Sequence, residues 1–79
     1  MTAQMEKSRQ AAIYIGERLR NVREQQGLTL HDVEVKSNGK FKGSAVGMYE
    51  RGDRSLTAAR LNELATFYQV PTYWFYPNA

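Results

Sequence analysis

Apolar residues recur at the spacing of an α-helix in the first part of the chain. One stripe lies on a helix predicted over residues 10–26, with members at i, i+4, i+8 and i+11: Ala11, Ile15, Leu19 and Val22. Gly27 follows this stripe, at the position where glycine commonly ends a helix. Ile13 falls on the opposite side, so we expect it to be exposed or covered by a later segment. Residues 1–10 are polar and lack this periodicity, which predicts a flexible N-terminal arm.

Shorter apolar patterns predict two helices in the middle of the chain. Thr29 is a good N-cap for a helix over residues 30–36, and Asp32 stands where the second half of a capping box is expected. Asn38-Gly39 is a strong turn signal, and we expect Phe41 beyond it to plug the core. A third helix is predicted at about 43–51, ending before Gly52.

A clear stripe marks the fourth helix. Thr57 is its expected N-cap, and the apolar positions of residues 58–68 are Leu61, Leu64, Ala65 and Tyr68. Pro71 begins a last helical turn, in which we expect Trp74 and Phe75 to close the core. The prediction is an all-α fold of five helices without strands, in a single domain over residues 11–77.

Composition limits the classes of function. The chain has 79 residues, no cysteine and one histidine, so we predict one small domain without a disulfide framework, metal site or cofactor. No nucleophile paired with a base and no phosphate-binding loop is visible, so we expect no enzyme activity. No apolar run approaches the ~20 residues of a membrane-spanning helix, and no signal peptide is visible. We therefore expect a cytoplasmic protein.

Positive charge is concentrated in residues 36–54, where five cations face Glu50 and Asp53 and the net charge is +3. An ordinary solvated loop would explain this charge on its own. If the partner is DNA, the cations most suited to phosphate contacts are Lys40, Lys42, Arg51 and Arg54. Arg54 could instead enter a narrow minor groove.

The third predicted helix has a side that suits DNA. Val46 and Tyr49, at i and i+3, define the buried side. The other side holds no bulky branched or aromatic residue: Gly43, Ser44, Gly47 and Met48. Such a helix can enter a major groove, where Met48 would contact a thymine methyl and Ser44 a base or a phosphate, while Gly43 would permit close approach. The alternative for Met48 is a place in the core.

Three segments carry a resemblance to a known family: IGERLRNVREQQGLTL, YERGDR and LNELATFYQVP, in this order and spacing. The chain resembles the Cro/C1-type helix-turn-helix family, also called XRE or lambda-repressor-like, from about Ile15 to Tyr76. The resemblance implies a five-helix DNA-binding domain with helix-turn-helix, belonging to a transcription regulator, a repressor rather than an activator. It also implies an ion pair between Arg23 and Glu50. Leu30 departs from the family, which often has a phosphate-contacting Gln there, and the turn after the second helix is longer than usual.

The expected partner is double-stranded DNA with an inverted-repeat operator, bound by two copies on half-sites ~34 Å apart. The consecutive aromatic residues Tyr73–Tyr76 cannot all face inward, which favours either a homodimer surface or contact with a C-terminal effector domain outside this chain. Two other functions remain open. One is an antitoxin or phage-type repressor of the same fold, and the other is a protein-interaction module that does not bind DNA.

Overall fold

Four α-helices and one 3₁₀ turn form the part of the chain that the computed structural model describes, which is the backbone of residues 3–76 and the side chains of residues 8–76. Strands are absent from these residues, as predicted. In chain order the elements are α1 (Ala3–Gln25), α2 (Leu30–Lys36), α3 (Gly43–Arg51), α4 (Ala58–Tyr68) and the 3₁₀ turn η1 (Thr72–Phe75). The prediction of five helices is therefore confirmed for four of them.

The last element is a 3₁₀ turn because its surroundings prevent a longer helix. It follows Pro71 and ends at Phe75, and the next residue, Tyr76, has an extended backbone at φ −90° and ψ 144°. Tyr76 precedes a proline in the sequence, and the residue before a proline is disfavoured in helical conformation.

The first helix begins earlier than predicted, at Ala3 rather than near Gln10. The residues added are mostly good helix formers, such as alanine, glutamine, methionine, glutamate, lysine and arginine. They carry no apolar stripe, so the periodicity gave no signal there. The predicted arm of residues 1–10 thus has a helical backbone from Ala3 onward, and Met1 and Thr2 lie outside the described residues.

Local hydrogen bonds define the N-terminal ends of α2 and α4. The Thr29 hydroxyl accepts from the Asp32 N–H at 3.0 Å, and the Thr29 N–H donates to the Asp32 carboxylate at 2.9 Å, which completes the predicted capping box. The Thr57 hydroxyl accepts from the Arg60 N–H at 3.0 Å. Both helices therefore start where the sequence placed their N-caps.

The core lies between α1, α3 and α4 and is closed by α2 and η1. Its buried members are Leu19, Val22, Val33, Phe41, Val46, Tyr49, Leu61, Leu64, Ala65, Tyr68 and Phe75. Phe41 is buried as predicted and packs edge-on against Phe67, with ring centroids 5.6 Å apart. Ile13 is 41% exposed, and it lies beside Gly52, where an added Cβ would come within 2.8 Å of Ile13 Cγ1.

The two aromatic residues expected to close the core behave differently. Phe75 is fully buried, whereas Trp74 remains 37% exposed, so the prediction is correct for Phe75 only. The Arg18 guanidinium lies 3.7 Å from the centre of the Trp74 ring, and its Nε donates to the Trp74 carbonyl at 3.0 Å. A cation–π contact of this kind lets Trp74 pack against α1 at the surface.

Candidate nucleic-acid interface

The third helix is packed on two sides and open on one. Val46 and Tyr49 are buried, as predicted. Gly43 and Gly47 are buried as well, because α2 approaches them closely. A Cβ added at Gly43 would lie 3.1 Å from the Leu30 carbonyl oxygen, and one at Gly47 would lie 3.4 Å from Leu30 Cδ1. The close partner that these glycines admit is therefore α2, and the prediction that Gly43 and Gly47 lie on the open side was wrong.

Leu30 explains this packing. It occupies the position on α2 where a phosphate-contacting Gln was expected from the family, and it packs instead against α3 and the core. The Gly43 N–H is also engaged, since it donates to Glu34 Oε1 at 2.9 Å. Glu34 thus binds the N-terminal end of α3, where a carboxylate is favoured by the helix dipole.

A glycine in α1 sets the distance between α1 and α3. A Cβ added at Gly16 would lie 2.6 Å from the Glu50 carbonyl oxygen and closer still to that of Tyr49. Only glycine leaves room for the backbone of α3 at this point. Gly16 therefore allows α3 to lie directly against the first helix.

Arg23 and Glu50 form a bidentate ion pair beside this contact. Arg23 Nε and Nη2 donate to the two carboxylate oxygens of Glu50 at 2.7 and 2.9 Å, and Nη1 donates to the Leu28 carbonyl at 2.8 Å. The two side chains are only 12% and 5% exposed. Hydrogen bonding to Glu50 raises the pKa of Arg23 above its ordinary value, despite the opposing effect of burial. The pair joins α1 to the last turn of α3.

Arg60 on α4 binds the turn between α2 and α3. Arg60 Nη2 donates to the Lys40 carbonyl at 3.0 Å, and its guanidinium lies 4.8 Å from the centre of the Phe41 ring. Asn38 and Gly39 both have positive φ, 55° and 80°, in which glycine is unstrained and asparagine is tolerated. The Ser37 hydroxyl accepts from the Phe41 N–H at 3.0 Å. The longer turn is therefore an ordered segment of the fold.

The open side of α3 presents few side chains. Ser44 and Arg51 are exposed and Met48 is partly exposed, so these three reach solvent as expected. Lys42 precedes the helix as its N-cap residue, and Arg54 follows its C-terminus. Lys40 lies in the turn. Gly43 is buried, whereas the other six residues predicted to contact DNA lie at the surface around α3: Lys40, Lys42, Ser44, Met48, Arg51 and Arg54.

Three of the four cations have carboxylate neighbours. Lys40 Nζ lies 3.8 Å from Glu63 Oε2, Lys42 Nζ lies 3.8 Å from Glu34 Oε2, and Arg51 Nε lies 3.0 Å from Asp53 Oδ2. Arg54 differs, because among the described residues it has no carboxylate within ion-pair distance, and its guanidinium lies 5.8 Å from the Tyr49 ring centre.

Sequence reasoning missed several residues that position the interface. Gly16 gave no signal, because a lone glycine inside a helical pattern does not indicate which element lies opposite. Arg60 and Glu63, at i and i+3, could have been recognised as a helix-surface pair but not as a support for the turn. Glu34 has no local signal for its contact with Gly43. Each of these roles depends on a tertiary contact.

No candidate metal cluster and no helix able to cross a membrane occur within residues 3–76.

The arrangement has the parts of a helix-turn-helix: two helices joined by an ordered turn, with the second helix open to solvent along one side. The chain belongs to the helix-turn-helix family, whose model matches residues 19–75. This confirms the resemblance to the Cro/C1-type family.

Two solved structures are similar to the chain over most of its length. One is the crystal structure of the DNA-binding domain of BldD, and the other is the structure of the S. venezulae BldD DNA-binding domain. Each has a TM-score of 0.84 and 53% sequence identity, and each match covers 86% of this chain. The matches cover 96% and 99% of those two chains. A comparison with curated proteins gives no significant match.

Proposed function

We propose that this chain is the sequence-specific DNA-binding domain of a transcription regulator and that α3 enters the major groove. The observation that carries this proposal is the position of α3. Its buried side is fixed by the core, by α2 and by the Arg23–Glu50 pair, while its open side presents Ser44, Met48 and Arg51 to solvent. The 53% identity to a DNA-binding domain over most of both chains supports the same function.

The side chains divide into two roles. Ser44 and Met48 project from the body of the helix, so they would meet base edges, with Met48 against a thymine methyl. Lys40, Lys42, Arg51 and Arg54 surround the helix and would contact phosphates, which position the protein without reading sequence. The short helix offers few hydrogen-bond donors to bases, so part of the specificity would come from DNA shape.

The regulator would act as a repressor in the cytoplasm, on the nucleoid. Two copies would occupy an inverted repeat with half-sites ~34 Å apart, as is usual for helix-turn-helix dimers. A homodimer formed on DNA would hold the two copies on their half-sites. An effector domain C-terminal to this chain would control the binding.

A selection from fragmented genomic DNA tests the proposed function. The purified chain is incubated with labelled fragments at low and moderate salt, and bound fragments are recovered and sequenced. We expect binding that weakens steeply with salt and recovery of fragments sharing an inverted repeat. Binding at low salt without a shared motif would contradict sequence specificity. Absence of binding at both salt concentrations would favour a protein-interaction module.

A further inference from the structure

We propose that Glu34, Asp53 and Glu63 act as counter-charges that weaken the binding of this surface to all DNA alike. The proposal rests on the proposed function, because it concerns the cations assigned to phosphates. It adds an electrostatic role for three carboxylates, of which Glu34 also binds the N-terminal end of α3 and Glu63 also pairs with Arg60. Together they set how tightly the domain binds DNA in general, and not which sequence it prefers.

Each counter-charge carboxylate faces one cation of the interface. Glu63 faces Lys40 at 3.8 Å, Glu34 faces Lys42 at 3.8 Å, and Asp53 faces Arg51 at 3.0 Å. The three cationic side chains remain 53%, 66% and 63% exposed. They are therefore accessible to a phosphate while they are paired.

Two of the carboxylates are also held by a second group, so they would stay in place when the cation turns to DNA. Glu34 Oε1 accepts from the Gly43 N–H at 2.9 Å. Glu63 Oε1 accepts from Arg60 Nη1 at 3.0 Å, and Arg60 is itself bound to the turn through the Lys40 carbonyl. Their negative charges are thus fixed features of the surface beside the bound phosphates.

The effect on DNA binding follows from charge balance. An exposed ion pair is weak in water, so a phosphate can take the cation from its carboxylate. The carboxylate left behind repels the phosphate and recruits a cation from solution, which offsets part of the counterion release that drives binding. Each counter-charge therefore lowers the affinity and flattens its dependence on salt.

The lowering applies to every duplex, because a phosphate carries no sequence information. The domain therefore dissociates more readily from unrelated DNA, while the ratio of its specific to its non-specific affinity is unchanged. Arg54, which lacks such a partner among the described residues, would supply an uncompensated contact.

The test uses the charge-neutralising substitutions Glu34→Gln, Asp53→Asn and Glu63→Gln, which preserve size and a hydrogen-bond acceptor. The matched control is Glu24→Gln, which removes the same charge from an exposed pair on α1, Arg20–Glu24 at 3.0 Å. Dissociation constants are measured at several salt concentrations on a fragment recovered from the genomic selection and on a scrambled duplex of equal length. Circular dichroism verifies that each variant is folded.

We expect each of the three substitutions to tighten binding to both duplexes by roughly two- to fivefold and to steepen the salt dependence. The control should change binding by less, and the affinity ratio between the two duplexes should stay constant. If the three variants bind no tighter than Glu24→Gln while the unmodified domain binds DNA, the counter-charge role is wrong and the proposed function stands. A changed ratio would mean that a carboxylate reads bases, which also overturns the proposal. If the unmodified domain binds neither duplex, both proposals fail together.

Discussion

Arg23 and Glu50 contact each other through two parallel hydrogen bonds of 2.7 and 2.9 Å, across 27 positions of sequence. The contact joins α1 to the C-terminal part of α3, and the third bond of Arg23, to the Leu28 carbonyl, extends it to the connection between α1 and α2. A two-point pair between nearly buried groups fixes orientation as well as distance. The angle at which α3 presents its open side depends on this pair.

Removing one partner of the pair should destabilise the domain strongly. Glu50→Ala leaves the Arg23 guanidinium nearly buried without its counter-ion, and we expect the free energy of unfolding to fall by about 3 kcal/mol. Urea denaturation followed by circular dichroism measures this loss. Glu24→Ala serves as the control, because the exposed Arg20–Glu24 pair should contribute no more than ~0.5 kcal/mol. Equal losses in the two variants would contradict a structural role for the pair.

A side chain at position 16 should destabilise the contact between α1 and α3. In Gly16→Ala the new methyl group meets backbone carbonyls of α3, which cannot move without shifting the helix. We expect a net destabilisation of ~1–2 kcal/mol, even though alanine favours helix formation. In Gly47→Ala the new methyl group meets the ends of the Arg51 and Leu30 side chains at 3.3 and 3.4 Å, which can adjust. Its unfolding free energy should stay within about 1 kcal/mol of the unmodified chain.

Thermal and urea unfolding of the two glycine variants checks this contrast. The expected order is a clear loss for Gly16→Ala and a small change of either sign for Gly47→Ala. The reverse order would mean that α1 and α3 are farther apart than the structure places them.

Base reading and phosphate contact should separate in one titration series. Met48→Ala and Ser44→Ala should alter the preferred sequence, with a loss of ~1–3 kcal/mol at the affected base pair and little change on unrelated DNA. Lys42→Ala and Arg54→Ala should weaken binding to recovered and scrambled duplexes together. They should also reduce the slope of log affinity against log salt by about one unit per lost contact.

The opposite pattern would overturn the placement of α3 in the groove. It would consist of a changed sequence preference in Lys42→Ala together with unchanged preference and affinity in Met48→Ala. Measurement of both duplexes at each salt concentration distinguishes the two patterns.

Tyr68 should make the domain sensitive to alkaline pH. Its side chain is 1% exposed, and its hydroxyl has no hydrogen-bond partner among the described residues. Burial raises the pKa of Tyr68 from 10.0 to about 12. The folded state resists deprotonation of Tyr68, so the unfolded state loses this proton first as the pH rises. The contribution of protonated Tyr68 to the free energy of unfolding is therefore fully present below pH 10.0 and is lost as the pH rises toward about 12.

Tyr68→Phe removes both the titration and the unpaired hydroxyl. We expect its stability at neutral pH to be equal to or above that of the unmodified chain, since a buried donor without a partner is unfavourable. Its stability should also fall less between pH 10.0 and 12. Urea midpoints across this pH range provide the measurement, and a parallel decline in both chains would contradict the assignment to Tyr68.

The sequence by itself determined the elements whose signals are local. The stripe of α4, the Thr29 and Thr57 caps and the end of α3 at Gly52 follow from periodicity and from short-range hydrogen bonding, so they were predicted correctly. The start of α1 was missed because its first residues favour helix without an apolar stripe. The family resemblance, in turn, pointed to Arg23 and Glu50 as partners, which no local pattern could have done.

Tertiary structure decided which surfaces remain open. Gly43 and Gly47 look accessible in the sequence because they lack side chains, yet the same lack lets α2 pack against them at Leu30. The counter-charges at Lys40 and Lys42 come from α4 and α2, and the sequence does not state which carboxylates will lie nearby. Local propensity acts along the chain, whereas burial and ion pairing depend on residues that are brought together only when the helices pack.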